Sequence, residues 1–279
     1  MKAKLYTAAI LAVLIVAVTL AAGWPSLRQG TAEEQEETAV IQLGSGKAMQ
    51  IWRCELDDQA TEEHVLEGAA KWLAAAKTLK GGENLELYVK FPIVVNGTGE
   101  VDLLQVLVAP TFKEWGCFWD AYGDSDAADH EETSQAHLVC PDSTMWESFK
   151  VNPAVGSHPV DKTVDIPFGE GRAVQWWKCE LVGDATEEQV LQEAQKWLAA
   201  ARTVTGGEDL ALYVNFPVVV NASGDTDVLL MLVAPSFEKW GEFWDGYSDS
   251  AAGDAEEAND KILIAPHSVM WEAFRIKAP

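Results

Sequence analysis

Residues Ile51–Leu56 read Ile-Trp-Arg-Cys-Glu-Leu, and Trp176–Leu181 repeat the pattern as Trp-Trp-Lys-Cys-Glu-Leu. The two copies are offset by 125 positions, from Cys54 to Cys179. The same offset, without a gap, relates Phe91-Pro92 to Phe216-Pro217 and Met145-Trp146 to Met270-Trp271. The chain therefore contains a duplicated domain, which we divide into repeat 1 (residues 46–151), a linker (152–170) and repeat 2 (171–279).

The charge of the chain limits its partners. Its 279 residues carry a formal net charge of −24 at pH 7. So acidic a surface repels phosphate backbones and anionic lipid head groups. We therefore expect neither nucleic acid nor a membrane surface as a partner, whereas a small-molecule ligand remains open. The sequence does not indicate an oligomeric state.

The N-terminus resembles an export signal. Lys2 and Lys4 precede an apolar run over residues 5–22, and residues 1–23 together form a signal peptide or an N-terminal membrane anchor. Residues 24–45 form an acidic linker. Both alternatives place the repeats in a periplasmic or other extracytoplasmic location, and only this segment, if uncleaved, would contact a membrane.

Each repeat begins with a strand followed by a helix. Met49–Leu56 alternates in polarity, with Trp52 on one face and Arg53 on the other. Thr61 and Thr186 have the spacing of helix N-caps. The apolar residues behind Thr61 recur at helical spacing: Val65, Ala69, Trp72, Leu73 and Ala76.

The second half of the repeat contains three further strands and one more helix. Leu85–Val95 and Val101–Val108 are predicted strands, and Pro92 indicates an edge strand or a bulge. Thr111 caps a helix whose aromatic stripe we expect to be core. Gly116 and Gly241 on these second helices indicate a close backbone approach. Residues 120–132 read as an acidic loop, His137–Cys140 as the last strand and Met145–Val151 as a short closing segment.

This order, strand-helix-strand-strand-helix-strand, resembles the ferredoxin-like pattern, whose antiparallel sheet runs 4-1-3-2. Two such βαββαβ repeats in one chain resemble the dimeric α/β-barrel superfamily, in which two sheets face each other. The resemblance implies an α+β fold forming an intramolecular barrel-like unit. The superfamily includes haem-dependent peroxidases, cofactor-free monooxygenases, isomerases and binding proteins, so the fold alone selects no function.

The four cysteines allow three pairings, and disulfides are expected in an exported chain. The strand order that the resemblance implies makes the first and fourth strands neighbours. It therefore favours a Cys54–Cys140 disulfide in repeat 1, which repeat 2 cannot form because Ala265 corresponds to Cys140.

The face opposite Trp52 supplies the candidate ligand-binding residues, since convergent polar groups between two sheets suit a small-molecule pocket. They are also what a polar contact between sheets requires. The candidates are Arg53, Glu55, Tyr88, Lys90 and Gln105 in repeat 1, and Trp176, Lys178, Glu180, Tyr213 and Asn215 in repeat 2.

We predict no catalytic residue, metal site or cofactor. None of the five histidines has a histidine at the equivalent position of the other repeat, so no symmetric haem or metal site can be assembled, and His137 is the remaining single-copy candidate for a haem ligand. No hydrolase, metalloprotease or phosphate-loop motif occurs.

Three functional hypotheses remain. The first is an exported, non-enzymatic module that binds a small molecule or a partner between its sheets. The second is a cofactor-free or haem-using oxidoreductase of the barrel group. The third is a structural or assembly module, which predicts that side chains fill the space between the sheets.

Overall fold

The computed structural model describes residues 45–94, 101–134, 138–152, 171–219 and 226–278. Repeat 1 contains β1 (Lys47–Leu56), α1 (Glu62–Ala76), β2 (Glu86–Val94), β3 (Leu103–Ala109), α2 (Phe112–Tyr122), α3 (Asp126–Ser134) and β4 (Leu138–Lys150). Repeat 2 contains β5 (Arg172–Leu181), α4 (Glu187–Ala201), β6 (Ala211–Val219), β7 (Val228–Ala234), α5 (Phe237–Asp245), α6 (Ala251–Asn259) and β8 (Leu263–Arg275). Residues 1–44, which include the predicted signal segment, and most of the linker lie outside the described residues.

The strands form a closed antiparallel barrel in the order β1-β3-β2-β8-β5-β7-β6-β4. Within each repeat the order is 4-1-3-2, as the ferredoxin-like resemblance implies. The edge strand β2 pairs with β8, and the other edge strand, β4, pairs with β6. The two sheets therefore face each other and are also joined along both edges, so the fold is that of an intramolecular dimeric α/β barrel.

Strand alternation divides the apolar residues into three cores. One core fills the barrel interior, and the other two lie outside it, between each sheet and its own helices. The predicted stripe of α1 is buried in the repeat 1 helix-side core, from Val65 to Ala76. Thr61 accepts a hydrogen bond from the backbone N–H of His64, and Thr186 with Gln189 forms a complete capping box.

The structure corrects three sequence predictions. Most of the acidic segment predicted as a loop is helix α3, whose buried residue is Ala127. The last strand does not stop at Cys140 but continues to Lys150. A Cβ added at Gly116 or Gly241 would meet nothing within 4 Å, so no close approach occurs there.

The close approach occurs instead after the first helix of each repeat. Gly81 has φ of +84°, and a Cβ there would lie 2.5 Å from the carbonyl oxygen of Glu114 in α2. Gly206 repeats this arrangement against Lys239. Both glycines therefore set the spacing between helices over the sheet.

Two local predictions are confirmed. The β2–β8 register shifts between Pro92 and Val94, which is the expected bulge. Cys54 and Cys140 form a disulfide between β1 and β4, whereas Cys117 and Cys179 are free. No helix among the described residues is long and apolar enough to span a membrane.

Removing the disulfide tests the link between β1 and β4. Because the two cysteines are 86 residues apart, we expect Cys140→Ala, which installs the residue of repeat 2, to lower the free energy of unfolding by about 2–4 kcal/mol. Denaturant unfolding under non-reducing conditions measures this loss, with Cys117→Ser as the control. Equal stability of the Cys140→Ala variant and the control would contradict the expectation.

Candidate functional site: a helix-side cavity in repeat 1

The barrel interior is filled by apolar side chains rather than by the polar space that the sequence suggested. Its buried core is Met49, Ile51, Leu104, Val106, Trp146, Val174, Trp176, Leu229, Met231, Trp271 and Ala273. The candidates Tyr88, Lys90, Trp176, Tyr213 and Asn215 face this interior. Arg53 and Lys178 lie at inward-facing positions near one mouth, and Glu55, Glu180 and Gln105 lie elsewhere.

One barrel mouth is organised around Glu86. Its carboxylate accepts hydrogen bonds from Lys47 (2.8 Å) and from the hydroxyl of Tyr88 (2.7 Å), and Arg275 lies 3.3 Å away. Burial acts to raise the pKa of Glu86, but these partners hold it below its usual value. Burial and the Glu86 charge raise the pKa of both Tyr88 and Tyr213. These tyrosines therefore stay protonated and act as packing and hydrogen-bonding groups.

The opposite mouth carries two basic residues, and Asp142 lies at the position paired with Arg53. Arg53 and Lys178 are both exposed, yet their charges interact, and partial desolvation together with Arg53 lowers the pKa of Lys178. Glu55 and Glu180 lie beyond register shifts in their strands and are exposed. The mouth residues are thus separated from the middle of the barrel by the apolar core.

Gln105 lies on the other side of the sheet from the remaining candidates. It pairs with Trp52 in β1 and with Val89 in β2, and both of these belong to the helix-side core. Paired residues on neighbouring strands point to the same face. The assignment of Gln105 to the inter-sheet face was therefore wrong. All residues of β3 except one are buried. The strand therefore lacks the alternation of polar and apolar residues that would show which side chains point to which face of the sheet.

Gln105 instead lines a cavity of about 500 Å³ between the repeat 1 sheet and its helices. This volume lies within the range of small-molecule sites, roughly 300–1,000 Å³. The lining residues are Trp52, Ala69, Trp72, Leu87, Gln105, Trp119, Ala128, Glu131, Leu138, Val139 and Cys140. Sequence reasoning missed this site because the aromatic residues of α2 were assigned to the core as a group.

Three tryptophans form the aromatic wall of the cavity. The rings of Trp52 and Trp119 are 6.1 Å apart, and Phe118, which is fully buried, packs behind Trp119 at 5.0 Å. Phe118 and Tyr122 are thus the buried residues of α2, whereas Trp119 is only partly buried and reaches the cavity. Such a wall offers flat apolar surfaces to a ring system.

A hydrogen-bonded chain fixes the helices around this wall. The indole N–H of Trp72 donates to the Tyr122 hydroxyl at 3.0 Å, and this hydroxyl donates to the carboxylate of Glu131. Burial and the bond to Glu131 raise the pKa of Tyr122. Repeat 2 contains the same chain, Trp197 to Tyr247 to Glu256. Because this chain of hydrogen bonds is present in both repeats, we interpret it first as a structural link between α1, α2 and α3, which we call the tyrosine tie.

Four lining residues differ between the repeats; Ala128 and Val139 correspond to the similar Gly253 and Ile264, and the other two differences change the chemistry of the cavity. Gln105 is replaced by Leu230 in repeat 2, and Cys140, in the disulfide, is replaced by Ala265. Gln105 is 8% exposed, and its side chain forms no hydrogen bond with another described residue. The cavity of repeat 1 therefore contains a polar group that the fold does not require.

The described part of this site does not fit a haem. A haem iron needs an axial ligand such as His, Cys thiolate or Tyr. The lining contains no histidine, and Cys140 is held in the disulfide. His137, the single-copy candidate, lies outside the described residues. In the described ranges, no group of three or more His, Cys, Asp or Glu residues could hold a metal ion.

Comparisons with solved structures support the fold. A "putative monooxygenase" from Lactobacillus acidophilus NCFM superposes with a TM-score of 0.52 and 9% identity, covering 82% of this chain and 94% of that chain. A second "putative monooxygenase", from Fusobacterium nucleatum, gives 0.50 and 6% identity over 84% and 95%. A haem-binding protein from Thermus thermophilus, at 0.46 and 12% identity over 85% and 94%, is too distant to support a functional comparison.

No protein-family model and no curated protein matches the sequence. At these identities the structural similarity establishes the fold and not the activity. Together with the strand order, it shows that this chain resembles the dimeric α/β-barrel superfamily and carries its two ferredoxin-like repeats within one polypeptide.

The tyrosine tie can be tested in both repeats. Tyr122→Phe leaves the buried indole N–H of Trp72 without an acceptor, so we expect a loss of about 1–3 kcal/mol in the free energy of unfolding. Tyr247→Phe should cost a similar amount because its partners are equivalent. Chemical denaturation of both variants measures this, and a neutral effect in either repeat would contradict a structural role for the tie.

Proposed function

We propose that this protein binds a flat, mainly apolar organic molecule in the helix-side cavity of repeat 1. The observation that carries the proposal is Gln105, which lines a tryptophan-lined cavity and whose amide has no hydrogen-bond partner among the described residues. A hydrogen-bonding ligand would satisfy that amide.

The comparison with repeat 2 supports this function for Gln105. Leucine occupies the equivalent position 230, and it packs against the helix-side core of its repeat. Burying an amide without a hydrogen bond costs about 1–3 kcal/mol in proteins. The Gln105 amide faces the cavity and can reach water there, so the fold does not require glutamine at this position, and a ligand contact explains the difference between the repeats.

The lining defines the chemistry of the ligand. Trp52 and Trp119 provide apolar faces for ring stacking. The Gln105 amide can donate to a carbonyl or accept from a hydroxyl, and Glu131 on the opposite helix wall can accept a further hydrogen bond. These groups fit a compound of two or three fused rings that bears hydroxyl or carbonyl substituents.

We propose cofactor-free oxidation of this ligand by dioxygen as the activity of the site. The similarity of the fold to two "putative monooxygenases" favours this class, and the lack of an iron ligand in the described lining favours its cofactor-free form over the haem-using one. In such a reaction a phenol and dioxygen give a quinone and water: the substrate loses four electrons and two hydrogens, one oxygen atom becomes its new carbonyl oxygen and the other leaves as water. Here Gln105 would orient the ring and Glu131 would accept a proton.

The location outside the cytoplasm remains a proposal from the sequence of residues 1–23. The Cys54–Cys140 disulfide is consistent with it, because disulfides persist in oxidising compartments. Cell fractionation with an antibody against the repeats would test it directly.

Exchanging residues between the repeats tests the binding proposal. A panel of two- and three-ring phenols and quinones serves as the probe, with affinity measured by isothermal titration calorimetry. We expect Gln105→Leu to weaken the best-bound member at least about tenfold, the loss of one hydrogen bond to the ligand, without lowering the unfolding midpoint.

Leu230→Gln is the matched control. It should leave binding unchanged and lower the free energy of unfolding by about 1–3 kcal/mol, because it buries a new amide. The assignment of the ligand site would be refuted if the Gln105→Leu variant bound the whole panel with wild-type affinity. It would also be refuted if the wild-type protein bound no member of the panel.

An oxygen electrode tests the oxidation separately. We expect wild-type protein to accelerate oxygen uptake with the best-bound phenol, and Glu131→Gln to reduce the rate while affinity changes little, because the amide cannot accept the proton. If the protein binds the phenol but does not accelerate oxygen uptake, the proposed oxygenase activity is refuted and only the ligand-binding function is supported.

A further inference from the structure

The barrel interior holds a lysine that no carboxylate of the described residues neutralises. Lys90 is 5% exposed, and its Nζ lies 3.8 Å from the sulfur of Met231 and 4.1 Å from the centroid of the Trp176 ring. The ring stabilises a cation weakly, and the thioether is a poor acceptor. Burial alone lowers the pKa of Lys90 to about 7.

Other polar groups beside Lys90 also lack partners. The indole N–H groups of Trp176 and Trp271 and the carbonyl oxygen of the Asn215 side chain are buried without a hydrogen bond among the described residues. Buried polar groups are normally satisfied by protein, water or an ion. Lys90 and the two indoles are therefore hydrogen-bond donors without an oxygen acceptor among the described residues.

These groups are close together. The rings of Trp176 and Trp271 are 5.8 Å apart, and Nζ of Lys90 lies over the first of them. Met231, which contacts Lys90, pairs with both Trp176 and Tyr213 across the sheet. The ammonium of Lys90 in β2 and the indole rings of β5 and β8 thus lie in the same part of the interior.

The repeats differ at these positions. Trp146, the repeat 1 counterpart of Trp271, donates its indole N–H to Thr144 at 2.8 Å. Val269 replaces that threonine in repeat 2, and so Trp271 has no such acceptor. Asn215 replaces Lys90, and its amide donates to the carbonyl oxygen of Leu229 at 2.7 Å. The unsatisfied donors therefore depend on differences between the repeats and are not a general property of the fold.

We propose that Lys90, with the indole N–H groups of Trp176 and Trp271, binds a small, weakly hydrated monovalent anion inside the barrel. Such an anion neutralises the ammonium and supplies acceptors to donors that have none. Weak hydration suits the site because the surrounding residues are apolar and cannot replace a full hydration shell. The sheet separates this site from the helix-side cavity, so the two proposals are independent.

The charges of the mouths favour entry of an anion. The protein as a whole is acidic, but Arg53 and Lys178 lie together at one mouth, and Lys47 and Arg275 flank Glu86 at the other. Basic residues at an opening raise the local concentration of anions.

Binding of the anion depends on the proton of Lys90. The ammonium binds it and the neutral amine does not, so bound anion raises the pKa of Lys90 and binding weakens as pH rises above that pKa. The other titratable or charged groups on interior-facing positions of the surrounding strands are Lys47, Arg53, Glu86, Tyr88, Asp142, Lys150, Arg172, Lys178, Tyr213, His267 and Arg275.

Thermal unfolding of the full protein in sodium nitrate, chloride or fluoride at constant ionic strength tests the proposal. Below pH 7, where Lys90 is protonated, wild type should gain stability as nitrate or chloride replaces fluoride, with a saturating dependence. The Lys90→Met variant should not be stabilised when nitrate or chloride replaces fluoride, because its apparent affinity for the anion should be at least tenfold weaker. Lys196→Met, which removes an exposed lysine, should retain it.

A measurement on the wild type alone keeps the proposal testable if the variant does not fold. The pKa of Lys90, followed by the NMR shift of its side-chain carbon next to Nζ, should lie near 7 in fluoride and higher in nitrate. An unchanged pKa in the two salts, or the same anion response in wild type and Lys90→Met, would overturn the proposal.

Discussion

The pairing of sheet edges between the repeats is the constraint on which this structure depends. A four-stranded ferredoxin-like sheet leaves the backbone groups of its two outer strands unpaired. Here β2 pairs with β8 and β4 with β6, so the duplicated chain satisfies both edges internally. Closure also buries the inner faces of both sheets around one apolar core. As a result, apolar side chains fill the middle of the barrel, and the described cavity lies between a sheet and its helices.

The two repeats keep the same framework but differ where chemistry can occur. The chain from tryptophan through tyrosine to glutamate is present in both and holds the helices in place. The single-copy features are Gln105 and the disulfide on the helix side of repeat 1, and Lys90 inside the barrel. Because duplicated positions start out equivalent, such differences indicate where one copy has been specialised, and both proposed sites depend on them.

The sequence was sufficient to predict the framework. The constant offset revealed the duplication, helical spacing predicted α1, and the resemblance to ferredoxin-like domains implied the strand order and, through it, the Cys54–Cys140 bond. Helix α3 was missed because it has few apolar residues and is held largely by the tie to Glu131. The path of β4 was missed because Pro141 and the polar residues after it interrupt its pattern.

The candidate site was harder to predict than the fold. Gln105 lies in a strand that is buried on both faces, so polarity could not assign its side. Polar residues at the ends of strands suggested a polar interior, but Met49, Ile51 and Val106 fill its middle. The cavity arises because Trp119, which follows the fully buried Phe118, is only partly covered. That exposure depends on how three helices pack together, and no single segment of the sequence determines it.

A crystal structure of the protein purified from its own source would test the central claim most directly. The account predicts density for a flat organic molecule in the cavity against Trp52 and Trp119, within hydrogen-bonding distance of the Gln105 amide. A cavity in which the Gln105 amide is fully satisfied by protein groups, with an organic ligand bound elsewhere on the molecule, would contradict it.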